Sequence, residues 1–265
     1  MKNVRWGIVF VLTLFHVGAV SALFYASWKM LLLALVMWSI SGCLGICIGY
    51  HRLLTHRSFK TRREIEYFLT LCGALGLHGG ADQWIRTHFE HHTDTDGITD
   101  PHSPRHGIFW SYIGWKIFTN PNRREPKYLS KSVKRLRADP IHVWLNRFFW
   151  IPSIILIIGF YYVWGVGGVL WGVCVPVVGG WHPTWLVNLV CHRWGYRWSN
   201  AKDDARNNPW LGPIAWGENW HGNHHDQQSS ARHGFKWYEI DPAWYVIWAM
   251  RFVGIVWAVV LPKLR

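Results

Sequence analysis

Charge is missing where a water-soluble chain would need it. Between Arg5 and Lys29 there is no Lys, Arg, Asp or Glu, and there is none from Phe148 to His192. Acid is scarce everywhere: 15 Asp and Glu stand against 28 Lys and Arg, a formal net charge of +13. There is no internal repeat, no low-complexity segment and no C-x-x-C pair among Cys43, Cys47, Cys72, Cys174 and Cys191. The missing pairs exclude a zinc ribbon or a disulfide framework. Four of the cysteines lie in apolar segments and Cys191 adjoins His192, so all five read as reduced packing residues. The uncharged runs exclude an ordinary soluble domain. Nor does the positive balance describe a nucleic-acid surface, because the basic residues alternate with apolar runs, as in the cytoplasmic loops of a membrane protein.

What is present is apolar and aromatic. Half of the 265 residues are hydrophobic, with 21 Trp, 10 Tyr and 13 Phe. The run over 7–28 is too long for a signal-peptide core, although Lys2 and Arg5 give it a basic start, and a second run over 30–50 follows at once. Each is about 20 residues, enough to cross a bilayer. The long uncharged stretch divides at Gly165, Gly167 and Gly168 into spans over about 146–164 and 168–190, the last kinked by Pro176 and Pro183. Residues 64–80 are short and glycine-broken and read as a helix at the interface. The run Ala243–Pro262 carries Arg251 near its centre, at a cost of about 2.5–3.5 kcal/mol in mid-membrane, so it too is placed at the interface. Sixteen of the 28 Lys and Arg fall between residues 51 and 147 and nine between 188 and 265, while the presumed outer turns hold only Lys29. The expectation is a single all-α integral membrane domain over 1–265. Four transmembrane helices form two hairpins, and residues 51–145 and 191–265 build a cytoplasmic helical cap, with both termini inside.

Histidines organise that cap. His88, His91 and His92 stand at i, i+3 and i+4 and share one helical face; His221, His224 and His225 repeat the spacing. His51 and His56 lie upstream, five residues apart, roughly 140° around a regular helix, so the helix is expected to end near Leu53-Leu54. Asn188 and His192 stand one helical turn apart. One such cluster could be a set of satisfied polar residues; two copies of His-x-x-His-His with two companions are a metal site. Nine imidazoles are too many for one metal and about right for two. Neutral imidazole suits iron, zinc, copper and nickel, so spacing does not choose among them. Asp94, Asp96 and Asp100 follow the second cluster, either as a solvated turn or as acceptors for the ligands' ring protons. Arg123, Arg124, Lys127, Lys131, Lys134, Arg135 and Arg137 read first as a positive cytoplasmic loop and second as a docking patch for an acidic partner. His16, mid-span, reads as an inward-facing polar contact.

The motifs His51-Arg-Leu-Leu-Thr-His56-Arg57, His88-x-x-His91-His92, Asn188-x-x-x-His192 and Gly217-Glu218-Asn219-Trp220-His221-x-x-His224-His225 resemble those of membrane fatty acid desaturases. They are most similar to the acyl-CoA Δ9 (stearoyl-CoA-type) branch and its bacterial relatives. Ser230-Ala231-Arg232-His233-Gly234 and Glu239-Ile240-Asp241-Pro242 extend the likeness, which covers about residues 40–245. The resemblance implies a di-iron enzyme that uses O₂ and two electrons to set a cis double bond into a long-chain acyl group on CoA, acyl carrier protein or a lipid. By position it makes the nine histidines the ligands, with Asn188 acting through water and Asp94, Asp100 and Glu218 behind them. Trp84, Trp181 and Trp185 fall along the acyl path, Arg86 near the carrier head group, and Ser39 and Leu35 at the end of the tunnel. Gly97-Ile98-Thr99 lengthens the family's acidic turn. No cytochrome b5-like domain is fused, so electrons come from a separate donor such as ferredoxin or cytochrome b5. A di-iron lipid or alkane hydroxylase would share the boxes, though Asn188 and His192 argue against it. A non-catalytic metal-binding or transport protein is opposed by ligands lying in loops and at helix ends instead of mid-bilayer.

Overall fold

The computed structural model describes residues 3–120, 130–198 and 203–263. Helix α1 (Trp6–Ser21) runs into a 3₁₀ turn at Ala22–Tyr25. The chain turns at Ser27, whose hydroxyl accepts from the Met30 N–H and starts α2 (Trp28–Trp38). The helical run ends next to Leu53-Leu54, as expected, but not with regular winding. It continues to Thr55 as a π-helix over Ser39–Thr55. The wider turn carries i→i+5 bonds, including His56 N–H to the His51 carbonyl at 3.1 Å. Residues five apart therefore stack, and His51 and His56 share one side.

Helix α3 (Arg63–Ala74) lies across that π-helix. At 12 residues it is about 18 Å long, too short to span. The two elements meet at glycines: a Cβ on Gly45 would lie 2.4 Å from the backbone of Cys72 and Gly73, and one on Gly73 would lie 2.3 Å from the Tyr50 ring. Such contacts let helix backbones approach closely. Helix α4 (Ala81–Thr93) carries the second histidine box, and a three-residue α5 (Trp115–Ile117) follows a π-turn at Trp110–Gly114. Of the basic stretch, Arg123, Arg124 and Lys127 lie outside the described residues. The rest forms α6 (Lys131–Arg137), where Arg135 pairs with Glu66 at 2.9 Å and Arg137 with Asp82 at 2.7 Å. Helix α7 (Pro140–Arg147) is capped by Asp139.

Among the described residues, three helical segments are long and apolar enough to cross a membrane: Trp6–Tyr25, Trp28–Thr55 and Ile151–Val190. The third holds α8 (Ile151–Val169), a π-turn at Leu170–Cys174 and α9 (Val175–Val190). Its 40 residues would measure about 60 Å if straight, twice the hydrocarbon core. They are not straight. Gly165 adopts φ 62 and ψ −154, and a Cβ on Gly172 would lie 2.5 Å from the Phe160 ring, so the chain doubles back at Gly165. Only glycine takes up that backbone region without a penalty. The apolar run after Ala243 is helical as α11 (Pro242–Phe252) alone, after the short α10 (His221–Asp226). Val256–Trp257 then pairs with Lys60–Thr61 in a two-stranded antiparallel ribbon, a small departure from an all-α chain.

Candidate metal centre

The histidine boxes sort into two groups. Ring nitrogens of His51, His56, His88, His92 and His224 lie within 4.8 Å of one another, and so do those of His91, His192, His221 and His225. Each His-x-x-His-His box serves both groups, in opposite senses. On α4 the i, i+4 pair His88 and His92 enters the first group and His91 the second. On α10 the pair His221 and His225 enters the second and His224 the first. The i, i+4 rings share a face, and the third ring projects toward the neighbouring group.

Carboxylates stand behind four of the rings. Nδ1 of His51 lies 2.7 Å from Glu218, Nδ1 of His91 2.8 Å from Asp100, Nδ1 of His192 3.1 Å from Asp96, and Nδ1 of His225 3.0 Å from Asp203. Each carboxylate accepts the Nδ1 proton and leaves Nε2 with a lone pair turned inward. The inward atoms crowd: His91 and His225 Nε2 are 3.2 Å apart, His192 and His221 3.0 Å, His51 and His224 3.1 Å. In the His91–His225 pair both Nδ1 protons go to carboxylates, so two lone pairs face each other, and a cation between them is what this arrangement fits. Burial, and after it the neighbouring imidazoles, holds His88, His92, His221, His224 and His225 well below the usual histidine range, which keeps them neutral and able to coordinate. Burial also pulls on His91, but Asp100 outweighs it and raises that ring. Burial would raise Glu218, yet His51, His233 and Arg52 hold it well below the carboxylate range.

The acidic turn divides its labour. Asp94 touches no ring: its Oδ2 accepts from the Thr99 N–H at 2.8 Å and the Thr99 hydroxyl at 2.6 Å, closing the loop that Gly97-Ile98-Thr99 lengthens. The ring acceptor is instead Asp96, held at φ 61, a left-handed backbone that Asp tolerates better than most residues. Asp203 has no histidine box near it in sequence and could be found only in space. Arg52 was hidden inside the first motif. It is fully buried, bonds both oxygens of Asp241 at 2.9 and 3.1 Å, and reaches Glu218 at 3.1 Å, fixing the carboxylate behind His51. His233 joins the same network, 3.5 Å from Glu218. His102 sits behind His91, with ring centroids 4.5 Å apart. Buried amides seat α10: Asn207 exchanges hydrogen bonds with Asn223 at 2.7 and 3.0 Å, and Gly222 admits the Ala205–Arg206 backbone, which a Cβ would meet at 3.1 Å.

Two cavities meet at this centre. The larger, about 560 Å³, is walled by Leu12, Phe15, Trp181 and Trp185 and reaches His88 and Asn188. The smaller, about 70 Å³, runs between the π-helix and α9 past Ser41 and Gly42 to Trp38. Trp84, His88, Thr184 and Asn188 border both. Trp84 stacks on His88, centroids 5.0 Å apart, and Trp181 stacks on Trp185 at 5.9 Å. Ser39 and Leu35 line neither cavity. Leu35 is 47% exposed and the Ser39 hydroxyl bonds back to its carbonyl at 2.8 Å. A 3.6-residue count back from His51 lost phase where the π-turns begin, and Trp38, Ser41 and Gly42 hold the inward positions. Arg86 is half-buried and also lines neither cavity.

The family model for fatty acid desaturases matches residues 6–259. A sn-1 stearoyl-lipid 9-desaturase from Anabaena variabilis is 40% identical over 242 residues, covering 91% of this chain and 88% of its own. A palmitoyl-monogalactosyldiacylglycerol delta-7 desaturase from Arabidopsis thaliana is 35% identical, covering 99% and 70%. An icosanoyl-CoA 5-desaturase from Limnanthes douglasii is 36% identical, covering 95% and 71%. Two histidine groups able to hold metal ions, at the junction of two apolar cavities and within a family match spanning nearly the whole sequence, mean that this chain belongs to the fatty acid desaturases, oxidoreductases that act on acyl chains.

Proposed function

We propose that the protein is a multi-pass membrane desaturase that sets a cis double bond, at position nine, into a long acyl chain carried by a lipid or by CoA. The observation that carries this reading is the convergence of five and four histidines where two apolar cavities meet. His51, His56, His88, His92 and His224 would hold one iron, and His91, His192, His221 and His225 the other, with Asn188 beside the second through water. Bound iron would supply the oxidising power: O₂, two electrons and two protons take two hydrogens from neighbouring methylenes and leave two waters. The electrons come from a separate protein donor such as a ferredoxin or cytochrome b5.

The protein's own part is to hold and align. The cavities receive the chain on either side of the centre, and Trp84, packed against both His51 and His88, ties the cavity wall to the ligand rings. Glu218, Asp100, Asp96 and Asp203 hold the Nδ1 protons of His51, His91, His192 and His225 and keep those four Nε2 atoms available. Trp181 and Trp185, buried and stacked, exclude water from the reacting methylenes. The reversal at Gly165 supports four crossings, with both termini and the histidine cap on the cytoplasmic side, where most Lys and Arg lie.

Expression in a host stripped of its own desaturase, followed by fatty acid profiling, tests the reading. The expected product is a position-nine cis monoene, absent with His192→Ala. A hydroxylated product, or metal flux into vesicles with no change in fatty acids, would overturn it.

A further inference from the structure

The large cavity is chemically divided. Its inner wall is aliphatic and aromatic, while its rim carries Arg5, Gln83 and Lys116. No Asp or Glu lines it among the described residues. The two cations come from opposite ends of more than a hundred residues and are brought together by a backbone strap. Val4 and Phe118 form an antiparallel bridge, the Arg5 N–H donates to the Ile117 carbonyl at 2.8 Å, and the Thr119 N–H donates to the Asn3 carbonyl at 2.9 Å. A further bond from the Asn3 N–H to the Thr119 hydroxyl, at 2.9 Å, closes the strap. Both cations are half-buried. The Lys116 ammonium lies 4.4 Å from the centroid of Trp115 and 3.5 Å from the His78 carbonyl oxygen, so its position over the rim is set by protein contacts. Trp150 borders the same cavity, and Trp6 is 73% exposed next to Arg5. Tryptophans of this kind settle at the level of lipid head groups.

A cavity with an acyl-sized apolar interior and two cations at a rim of head-group depth recognises more than the chain. We propose that Arg5 and Lys116 form a head-group subsite that selects acyl substrates bearing a phosphate. The proposal rests on the acyl-desaturase reading above. A phosphate offers the guanidinium fork of Arg5 paired acceptors and the Lys116 ammonium a point charge. A neutral sugar head supplies neither. The phosphate could belong to a phospholipid or to a carrier such as CoA, and the chemistry of the subsite is the same for both. Cations that served only to orient the chain in the membrane would affect insertion and would not discriminate between head groups.

The test uses the full-length iron-loaded enzyme with a donor system, and three stearoyl substrates: a phosphatidylglycerol, CoA and a monogalactosyldiacylglycerol. Wild type, Arg5→Gln, Lys116→Gln, the double variant and Lys116→Arg are compared by KM and kcat separately. Each cation removed is expected to raise the ratio of phosphate-substrate KM to galactolipid KM about fivefold, as one basic residue contributes near an anionic head group. Lys116→Arg should restore the ratio. A change with phosphatidylglycerol alone assigns the phosphate to a lipid, and a change with CoA alone to a carrier; either supports the subsite. An unchanged ratio, or equal changes for all three substrates, overturns it. If wild-type enzyme with a full iron complement converts none of the three, the desaturase reading itself falls and the subsite with it.

Discussion

Four carboxylates behind four imidazoles give the site its chemistry at the level of single residues. On the proposed reading the nine rings are the ligands, and the charge that balances a cation stands one hydrogen bond further out, in Glu218, Asp100, Asp96 and Asp203. Removing such a partner frees the ring to turn or to change tautomer, and costs roughly 10–100-fold in metal affinity. Asp203→Asn and Asp96→Asn are therefore expected to lose iron at chelator concentrations the native enzyme tolerates, read as iron per chain after dialysis. Asp94→Asn, which breaks only the bonds to Thr99, should keep its iron and lose about 1 kcal/mol of stability by thermal denaturation. Equal iron loss in Asp94→Asn and Asp96→Asn would show that the turn acts as one unit.

The element that matters most is the helix that changes its winding at Ser39. Regular turns would send His51 and His56 in different directions; the π-turns bring both into the first histidine group. The same change decides which residues face the small cavity. Trp38 closes that cavity and packs on Trp216, centroids 4.7 Å apart. Trp38→Ala is expected to lengthen the cavity and to move the product ratio by several-fold toward longer fed chains, measured by fatty acid profiling. Ser39→Trp should leave the ratio where it is, because that side chain points away from the cavity. A shift with Ser39→Trp and none with Trp38→Ala would mean that the chain runs along the other face of the helix.

For the molecule as a whole, the proposed topology has four crossings, with the reversal at Gly165 between the last two and one shared side for the histidine boxes. Cysteine accessibility in oriented vesicles checks this. Lys134→Cys on the exposed face of α6 should be labelled from the cytoplasmic side only, and Phe24→Cys in the turn after α1 from the opposite side only. Cys43, Cys47, Cys72 and Cys191 are buried, and the half-buried Cys174 is replaced by Ser to remove native background. Labelling of both positions from one side would rule out the four-crossing arrangement.

Sequence alone determined the inventory of clustered histidines and the apolar segments, because both are written in residue type and local spacing. Imidazoles at i, i+3 and i+4 share a helical face whatever surrounds them, and an uncharged run of 20 residues has few environments open to it. Trp181, Thr184, Trp185 and Asn188 recur at helical spacing, and because α9 is regular where they lie all four line the large cavity. Tertiary structure alone decided which histidine joins which group, because α4 and α10 contribute their rings in opposite senses. It decided that Asp203 backs His225, a partnership formed across 22 residues of chain with no local pattern to mark it. It also decided the phase of the second helix. Residue spacing assumes a fixed number of residues per turn, and the packing of Gly45, Gly49 and Gly73 between that helix and α3 accompanies a wider one.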